Sequence, residues 1–279
     1  MRTTKLTIVS DSHLSPRTPE AAANWDVLVE HVDTVQPDAV IHTGDIARDG
    51  TSGDNELGYA KTQLDKMSAP LLALPGNHDL GDNPCETNAD SSHLITEDHL
   101  AAYRHHFGDD HWAIDIGSWH LVGFNAQLLD SNLDAEGEQW DWIERELAAS
   151  TGGRHHAMFM HKPLLHSDPH PDEHDLPIRY VRPRARERLL ALFEAAQVRL
   201  VVSGHVHQHH RLRAKGIDHL WAPTSWATLP EASQATIGER WVGALDLNLD
   251  DDGSFAVERV RPTLLVQHII GETIPNPYS

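Results

Sequence analysis

The 279-residue chain predicts an α/β fold with largely parallel strand pairing at its centre. Short apolar runs of strand length recur, stretches with apolar residues at three- and four-residue spacing lie between them, and the runs end at polar tips. In sheets of this kind the loops at the carboxyl ends of the strands converge on one crevice, so these tips are expected to face each other.

Taken in order, Lys5–Ser10 (KLTIVS) is the first strand and ends at Asp11-Ser12-His13. A helical pattern over roughly 20–35 leads to Ala39–Thr43 (AVIHT), which ends at Gly44-Asp45. A second helical pattern, roughly 55–67, precedes Leu71–Leu74, which runs into Pro75-Gly76 and then presents Asn77-His78-Asp79. Helices are expected over roughly 97–106 and 136–149, before the strand Ala157–Met160 ends at His161. A helix over roughly 184–196 leads to Arg199–Ser203, which stops at Gly204-His205-Val206-His207. From about 241 onward, GALDLNLD and FAVERV read as two further strands around an Asp251-Asp252-Gly253 turn.

A hydrophobic content of 39% can bury a large core, and the absence of repeats or a Pro/Gly/Ser linker predicts one domain over 1–279. The single cysteine, Cys85, excludes an internal disulfide and a multi-cysteine zinc site. No apolar stretch is long enough to cross a bilayer, and the start, MRTTKLTIVSDSHL, lacks the apolar core of a secretory signal. The expectation is a soluble, cytoplasmic chain without a membrane partner, with a homo-oligomer left open. A formal net charge of −20 argues against a broad electrostatic grip on nucleic acid polymers or an anionic membrane.

The donors at the strand tips are Asp11, His13, Asp45, Asn77, His161, His205 and His207. All offer oxygen or nitrogen and none a thiolate, which suits Mn, Fe, Zn or Co better than calcium or a lone magnesium. Seven donors are too many for one tetrahedral ion but fit two ions sharing a carboxylate. If extended, Asp11-x-His13 and His205-x-His207 each place both side chains on one face. Two divalent cations against two aspartates leave a positive site for an anionic phosphate. Ions about 3.5–4 Å apart lower the pKa of a shared water and stabilise the attacking and leaving oxygens of an in-line displacement at phosphorus. No G-x-S-x-G, G-x-x-x-x-G-K-[ST], H-E-x-x-H or G-x-G-x-x-G motif supplies a competing apparatus.

The ordered set Asp11-x-His13, Gly44-Asp45, Gly76-Asn77-His78-Asp79, His161 and Gly204-His205-x-His207 resembles the calcineurin-like metallophosphoesterases, most of all the class III cyclic-nucleotide phosphodiesterases and their glycerophosphodiesterase relatives. The motifs cover about three quarters of the chain. The resemblance implies a four-layer α/β/β/α sandwich of two mixed sheets flanked by helices; the strands read from about 241 onward are expected to complete the second sheet, with 241–279 ending in a tail. It implies two divalent or trivalent transition-metal ions, Mn, Fe or Zn. Asp11, His13 and His207 would bind one ion, Asn77, His161 and His205 the other, and Asp45 both. Asn77 and His78 would meet the phosphate, with His78 protonating the leaving oxygen, and Asp49 is the candidate partner of His78. The chain reads GDIARDG and GNHD where protein serine/threonine phosphatases carry G-D-x-V-D-R-G and G-N-H-E, which speaks against that subgroup.

The expected activity is therefore hydrolysis of a small phosphodiester, of cyclic-nucleotide or glycerophosphodiester type, by a hydroxide shared between the ions. The alternatives are a phosphomonoesterase or nucleotidase on the same centre, and a metal-bound scaffold without catalysis, which would not require His78. Around the centre, Arg179 and Arg182 in RYVRPRARER are candidate substrate contacts, although the stretch also reads as the solvated face of a helix starting near Pro183. The polar loop 164–178 is a candidate lid, with His166 and Asp168 its contributors. Trp221 and Trp226 are candidate walls of a base or alkyl pocket, and Asp79 either supports the ligands or closes its turn. His31, His99, His105, His106, His155, His156, His209 and His210 read as structural.

Overall fold

Strand β1 (Thr3–Val9) pairs in parallel with β2 (Ala39–His42), and β2 in parallel with β3 (Leu71–Ala73). These and all later coordinates come from a computed structural model, which describes residues 3–53, 55–84, 93–149, 153–167 and 179–276. Cys85, Asp168 and most of the 164–178 loop lie outside the described residues.

The first sheet has the order β12-β11-β1-β2-β3, with β11 (Ala244–Asp250) antiparallel to β1 and β12 (Phe255–Val260) antiparallel to β11. The second has the order β4-β5-β6-β7-β9-β8: β5 (Trp119–Gly123), β6 (His155–Phe159), β7 (Leu200–Ser203) and β9 (Ile217–Trp221) run parallel, and β4 (Trp112–Ile116) and β8 (His210–Ala214) are antiparallel edges. A short pair, β10 (Ala227–Thr228) with β13 (His268–Ile269), stands apart. The chain's last long strands thus extend the sheet that β1 opens and do not complete the second one. Their alternating pattern defines two faces but carries no information about which edge receives them.

Alternation along each strand builds the layers. Leu6 and Ile8 of β1 meet Ala157 and Phe159 of β6 and Leu200 and Val202 of β7 in a core between the sheets. Val9 and Val40 face outward to Trp25, Leu28 and Val32 of α1 (Pro19–Val35), Leu57 and Leu64 of α2 (Glu56–Leu64) and, beyond the single turn α3 (Asn77–Leu80), Tyr103 of α4 (Glu97–Phe107). On the far side, Val122, Met158 and Val201 meet Ile143 and Leu147 of α5 (Asp134–Ala149) and Leu189 and Phe193 of α6 (Pro183–Ala195). The result is the expected sandwich of two mixed sheets between helical layers. Truncating Trp25, Phe159 or Phe193, all fully buried, to alanine costs about 3–5 kcal/mol each.

The helices form where local chemistry allows. α1 starts at a proline with Glu20 in its first turn, buries Ala21, Trp25, Leu28 and Val32 on one stripe, and stops where Gln36 turns left-handed at φ 49°. In α4 the Thr96 hydroxyl accepts from the His99 amide, with Glu97 and Asp98 at the start and Arg104, His105 and His106 in the last turn, both favourable to the helix dipole.

Candidate metal centre

All seven tip donors sit at or just beyond the carboxyl ends of β1, β2, β3, β6 and β7, at the junction of the two sheets. Four of them, Asp11, His13, Asp45 and His207, form one group, and Asp45, His161 and His205 form another, the ligand atoms of each lying within 4.8 Å of one another. Asp45 belongs to both. Its Oδ2 lies 3.3 Å from His161 Nε2 and 3.7 Å from His13 Nε2, while its Oδ1 accepts the His78 amide at 2.8 Å. Asn77 joins the second group, its Oδ1 3.3 Å from His161 Nε2.

The extended geometry expected for the two D-x-H and H-x-H pairs is not what places them. Asp11, His13, Asp45, His205 and His207 have φ of 51°, 45°, 55°, 70° and 50°, left-handed positions that cost non-glycine residues energy. Each strand ends, the chain turns sharply, and the side chain swings over the sheet edge. The turns hold because they hydrogen-bond to each other: Asp11 N donates to Gly44 O at 3.0 Å, His13 N to Asp45 O at 3.0 Å and Leu14 N to Ile46 O at 2.7 Å. Two glycines permit the approach. A Cβ on Gly76 would lie 2.1 Å from Asp45 Oδ1, and one on Gly204 would lie 1.9 Å from Ser10 Oγ, so neither position admits a side chain.

The rings are fixed from behind. His207 Nδ1 donates to Ala227 O at 2.6 Å and His161 Nδ1 to Thr43 O at 3.0 Å, which leaves the Nε2 lone pair of each neutral ring pointing inward. His13 Nε2 then faces His207 Nε2 at 3.2 Å, and His161 Nε2 faces His205 Nδ1 at 3.1 Å. A cation held at about 2.0–2.1 Å from two donors in tetrahedral or octahedral geometry separates them by about 2.9–3.4 Å, so both pairs are spaced as co-ligands are. The donor set fits two ions.

Electrostatics agrees with the geometry. Burial opposes charge on His161, but Asp45 and Asp11 hold its pKa up at about 9; burial likewise opposes charge on His207, and Asp11 raises it. Their partners go the other way: burial and His78 push His13 well down, and burial with His161 pushes His205 well down. Within each pair the shifts therefore run in opposite directions, one ring favouring the charged form and the other the neutral one. Asp45 stays ionised: burial opposes it, but His161 and His78 keep its pKa well below the ordinary carboxylate range.

Asp79 supports the ligands. Its carboxylate accepts the amides of Ile46 (3.1 Å), Ala47 (2.8 Å) and Gly76 (2.7 Å), tying the Asp45 turn to the turn that carries Asn77 and His78. Burial, then Asp45, raises its pKa to about 7. His78 Nδ1 donates to Arg48 O at 2.9 Å, while the Asp49 carboxylate accepts the Thr51 hydroxyl at 2.9 Å and the Asp49 amide is bound by Glu56. The backbone carbonyl before Asp49, and not Asp49 itself, thus orients His78, because the carboxylate is turned to its own loop.

Arg179 is half-buried and donates to Ser233 O at 3.2 Å, and its charge adds, after burial, His161 and Lys162, to the lowering of the His205 pKa. Arg182 instead donates to Pro84 O at 2.6 Å, and Arg188 pairs with Glu144 over the Trp140 ring, so the rest of that stretch serves the fold. His166 packs at 5.4 Å on Tyr180. Trp221 and Trp226 are 1% and 0% exposed; Trp226 backs His13 at 5.1 Å and donates to Glu20, so neither is a face a base could stack on. None of the eight histidines read as structural joins either group.

Three residues near the centre were not singled out from the sequence. Ser10 donates to Asp11 Oδ2, Lys162 is buried in an ion pair with Asp82, and His42 is buried against Ser12. A lysine directly after a ligand histidine and an imidazole inside an apolar strand are the signals that could have found the last two.

A sequence profile described as calcineurin-like phosphoesterase matches residues 4–209. A Danio rerio protein named serine/threonine-protein phosphatase CPPED1 is 32% identical over 145 residues, covering 50% of this chain and 42% of that protein. The Escherichia coli K12 protein named 3',5'-cyclic adenosine monophosphate phosphodiesterase CpdA is 25% identical over 260 residues, covering 90% of this chain and 86% of that one. Among solved structures, a dimetal phosphatase from Danio rerio superposes with a TM-score of 0.61 at 16% identity, over 92% of this chain and 96% of that one, which shows a shared fold. With the match spanning most of the chain and taking in all the tip donors, the chain belongs to the calcineurin-like phosphoesterase family.

Proposed function

We propose that the protein hydrolyses a small phosphodiester at a dinuclear metal centre, with Asp11, His13 and His207 holding one ion, Asn77, His161 and His205 the other, and Asp45 both. The observation that carries this reading is the pair of donor groups joined through one carboxylate. Bound there, two cations supply an acidified water as nucleophile and neutralise charge at phosphorus. Asp45, kept ionised, sets the spacing of the groups, and neutral Asn77 adds a ligand without adding negative charge. His78, its Nδ1 anchored on Arg48 O and its ring edge-on to His13 with centroids 4.7 Å apart, directs Nε2 toward the substrate and passes a proton to the departing oxygen. Arg179 holds a non-reacting phosphate oxygen beside the second group.

Support for a diester comes from the cyclic-nucleotide phosphodiesterase relative that spans 90% of the chain. A phosphomonoesterase is the second reading, favoured by the 32% identity to a protein phosphatase over half the chain. Protein loaded with defined Mn²⁺, Fe²⁺ or Zn²⁺ and assayed on bis(p-nitrophenyl) phosphate and p-nitrophenyl phosphate separates them. Diester preference is expected; monoester preference would favour the second reading, and turnover of neither under any loading would sink both.

A further inference from the structure

His42, the last residue of β2, is wholly buried and packs on Trp25 with ring centroids 5.9 Å apart. Its two nitrogens have unambiguous roles. The Gly44 amide donates to Nδ1 at 3.2 Å, so Nδ1 carries no proton and the ring is the neutral Nε2–H tautomer. Nε2 lies 2.8 Å from Ser12 Oγ, to which it must donate, and the Ser12 hydroxyl in turn donates to Ile46 O at 3.1 Å. The hydrogen bonds thus run in one direction, from Gly44 to His42, to Ser12, to Ile46. They start and finish on either side of Asp45 and pass through the residue between Asp11 and His13.

The position matters because Asp11, His13 and Asp45 are three of the four left-handed residues of the first donor group. Backbone bonds join the two turns at Asp11, His13 and Leu14, whereas Ser12 is joined through its side chain. The turn bearing Asp45 is also braced on its other side by Asp79, and the second group draws its remaining ligands from β3, β6 and β7. Loss of the Ser12–His42 link therefore loosens Asp11 and His13 against Asp45 and leaves Asn77 and His161 in place, while His205, whose amide donates to the Asp11 carboxylate at 3.1 Å, is touched only through Asp11 and keeps its own support at the end of β7.

We infer that His42, acting through Ser12, is a positioning residue that sets the affinity of the first metal site selectively. This rests on the dinuclear reading above. The effect of removing such a support is expected to be about 10–100-fold in metal affinity.

The test is Mn²⁺ titration of metal-free protein, read by calorimetry and by the free-ion electron paramagnetic signal. His207→Ala and Asn77→Ala serve as references that assign the two binding steps. Ser12→Ala, which removes one oxygen, and His42→Phe, which keeps the volume, are expected to weaken the first step about 10–100-fold and the second less than about 3-fold. His42→Gln, able to donate to Ser12 from a similar place, is expected to recover most of the loss. Equal weakening of both steps, or unchanged affinity in Ser12→Ala, overturns the inference, and Ser12→Ala decides alone if His42→Phe does not fold. Wild-type protein that takes up fewer than two ions refutes the dinuclear reading itself, a result distinguishable from two ions bound equally well by wild type and Ser12→Ala.

Discussion

The two donor groups share a carboxylate but are built differently. The first is enclosed: Asp11, His13, Asp45 and His207 are all buried, all left-handed, and backed by Ser10, Ser12, His42 and Trp226. The second is half open, with Asn77 and His205 only partly covered, the Nε2 of His205 without a hydrogen-bond partner among the described residues, and Lys162 and Arg179 adding to the lowering of the His205 pKa. On the proposed reading, one side would hold an ion in a fixed frame and the other would receive the anion. A bare pattern of aspartates and histidines does not distinguish these tasks; burial and backbone conformation do.

The difference can be broken most completely at Asp45. Asp45→Asn is expected to release both ions and lower kcat/KM about 10⁴-fold or more, about 5.5 kcal/mol of barrier, read by elemental analysis beside steady-state kinetics. Asn77→Ala separates the sides: metal content should fall from two ions to one, with the remaining ion as tightly held as in wild type. Loss of both ions would show that the sides are not independent. His78→Ala should keep both ions and lose about 10²–10⁴-fold in kcat, and a variant of full activity would remove His78 from the chemistry. Arg179→Ala should raise KM about 10-fold with little change in kcat, since its contact is with an oxygen present before and after bond cleavage; an unchanged KM would return Arg179 to the fold.

A different kind of effect is expected on acid stability. Burial holds the His42 pKa down to about 3 from 6.5, so the unfolded chain binds a proton below pH 6.5 that the folded chain refuses. Stability is therefore intact above 6.5 and lost as pH falls toward 3, at up to about 1.4 kcal/mol per pH unit. In metal-free protein, His42→Gln should lose about 2 kcal/mol less than wild type between pH 6.5 and about pH 5 by chemical denaturation. Equal losses would mean that other buried histidines account for the slope.

Much of the fold was legible because periodicity is a property of the sequence. The helix expected over roughly 136–149 runs from Asp134 to Ala149, and that expected over 184–196 from Pro183 to Ala195. The donors were legible because their chemistry is written in residue type and they recur at strand ends. What could not be read was three-dimensional: which sheet edge receives β11, which backbone turns are left-handed, and which carbonyl orients His78. Asp49 looked like its partner because sequence offers side chains, whereas the contact is made by the Arg48 backbone. His42 escaped notice because a histidine inside AVIHT looks like any other polar residue near a strand end until its neighbours are known.

The pairing of β11 with β1 along six residues bears on how the polypeptide tolerates shortening. The family match ends at residue 209, yet Thr224 Oγ1 donates to Asp11 O and Ala227 O anchors His207, so later residues finish the pocket that earlier ones begin. A protease cut after His209 would strip a neighbour from the very strand that delivers Asp11 and bare its hydrogen-bonding edge to other molecules. Such a fragment is expected to clump, and not simply to turn over more slowly.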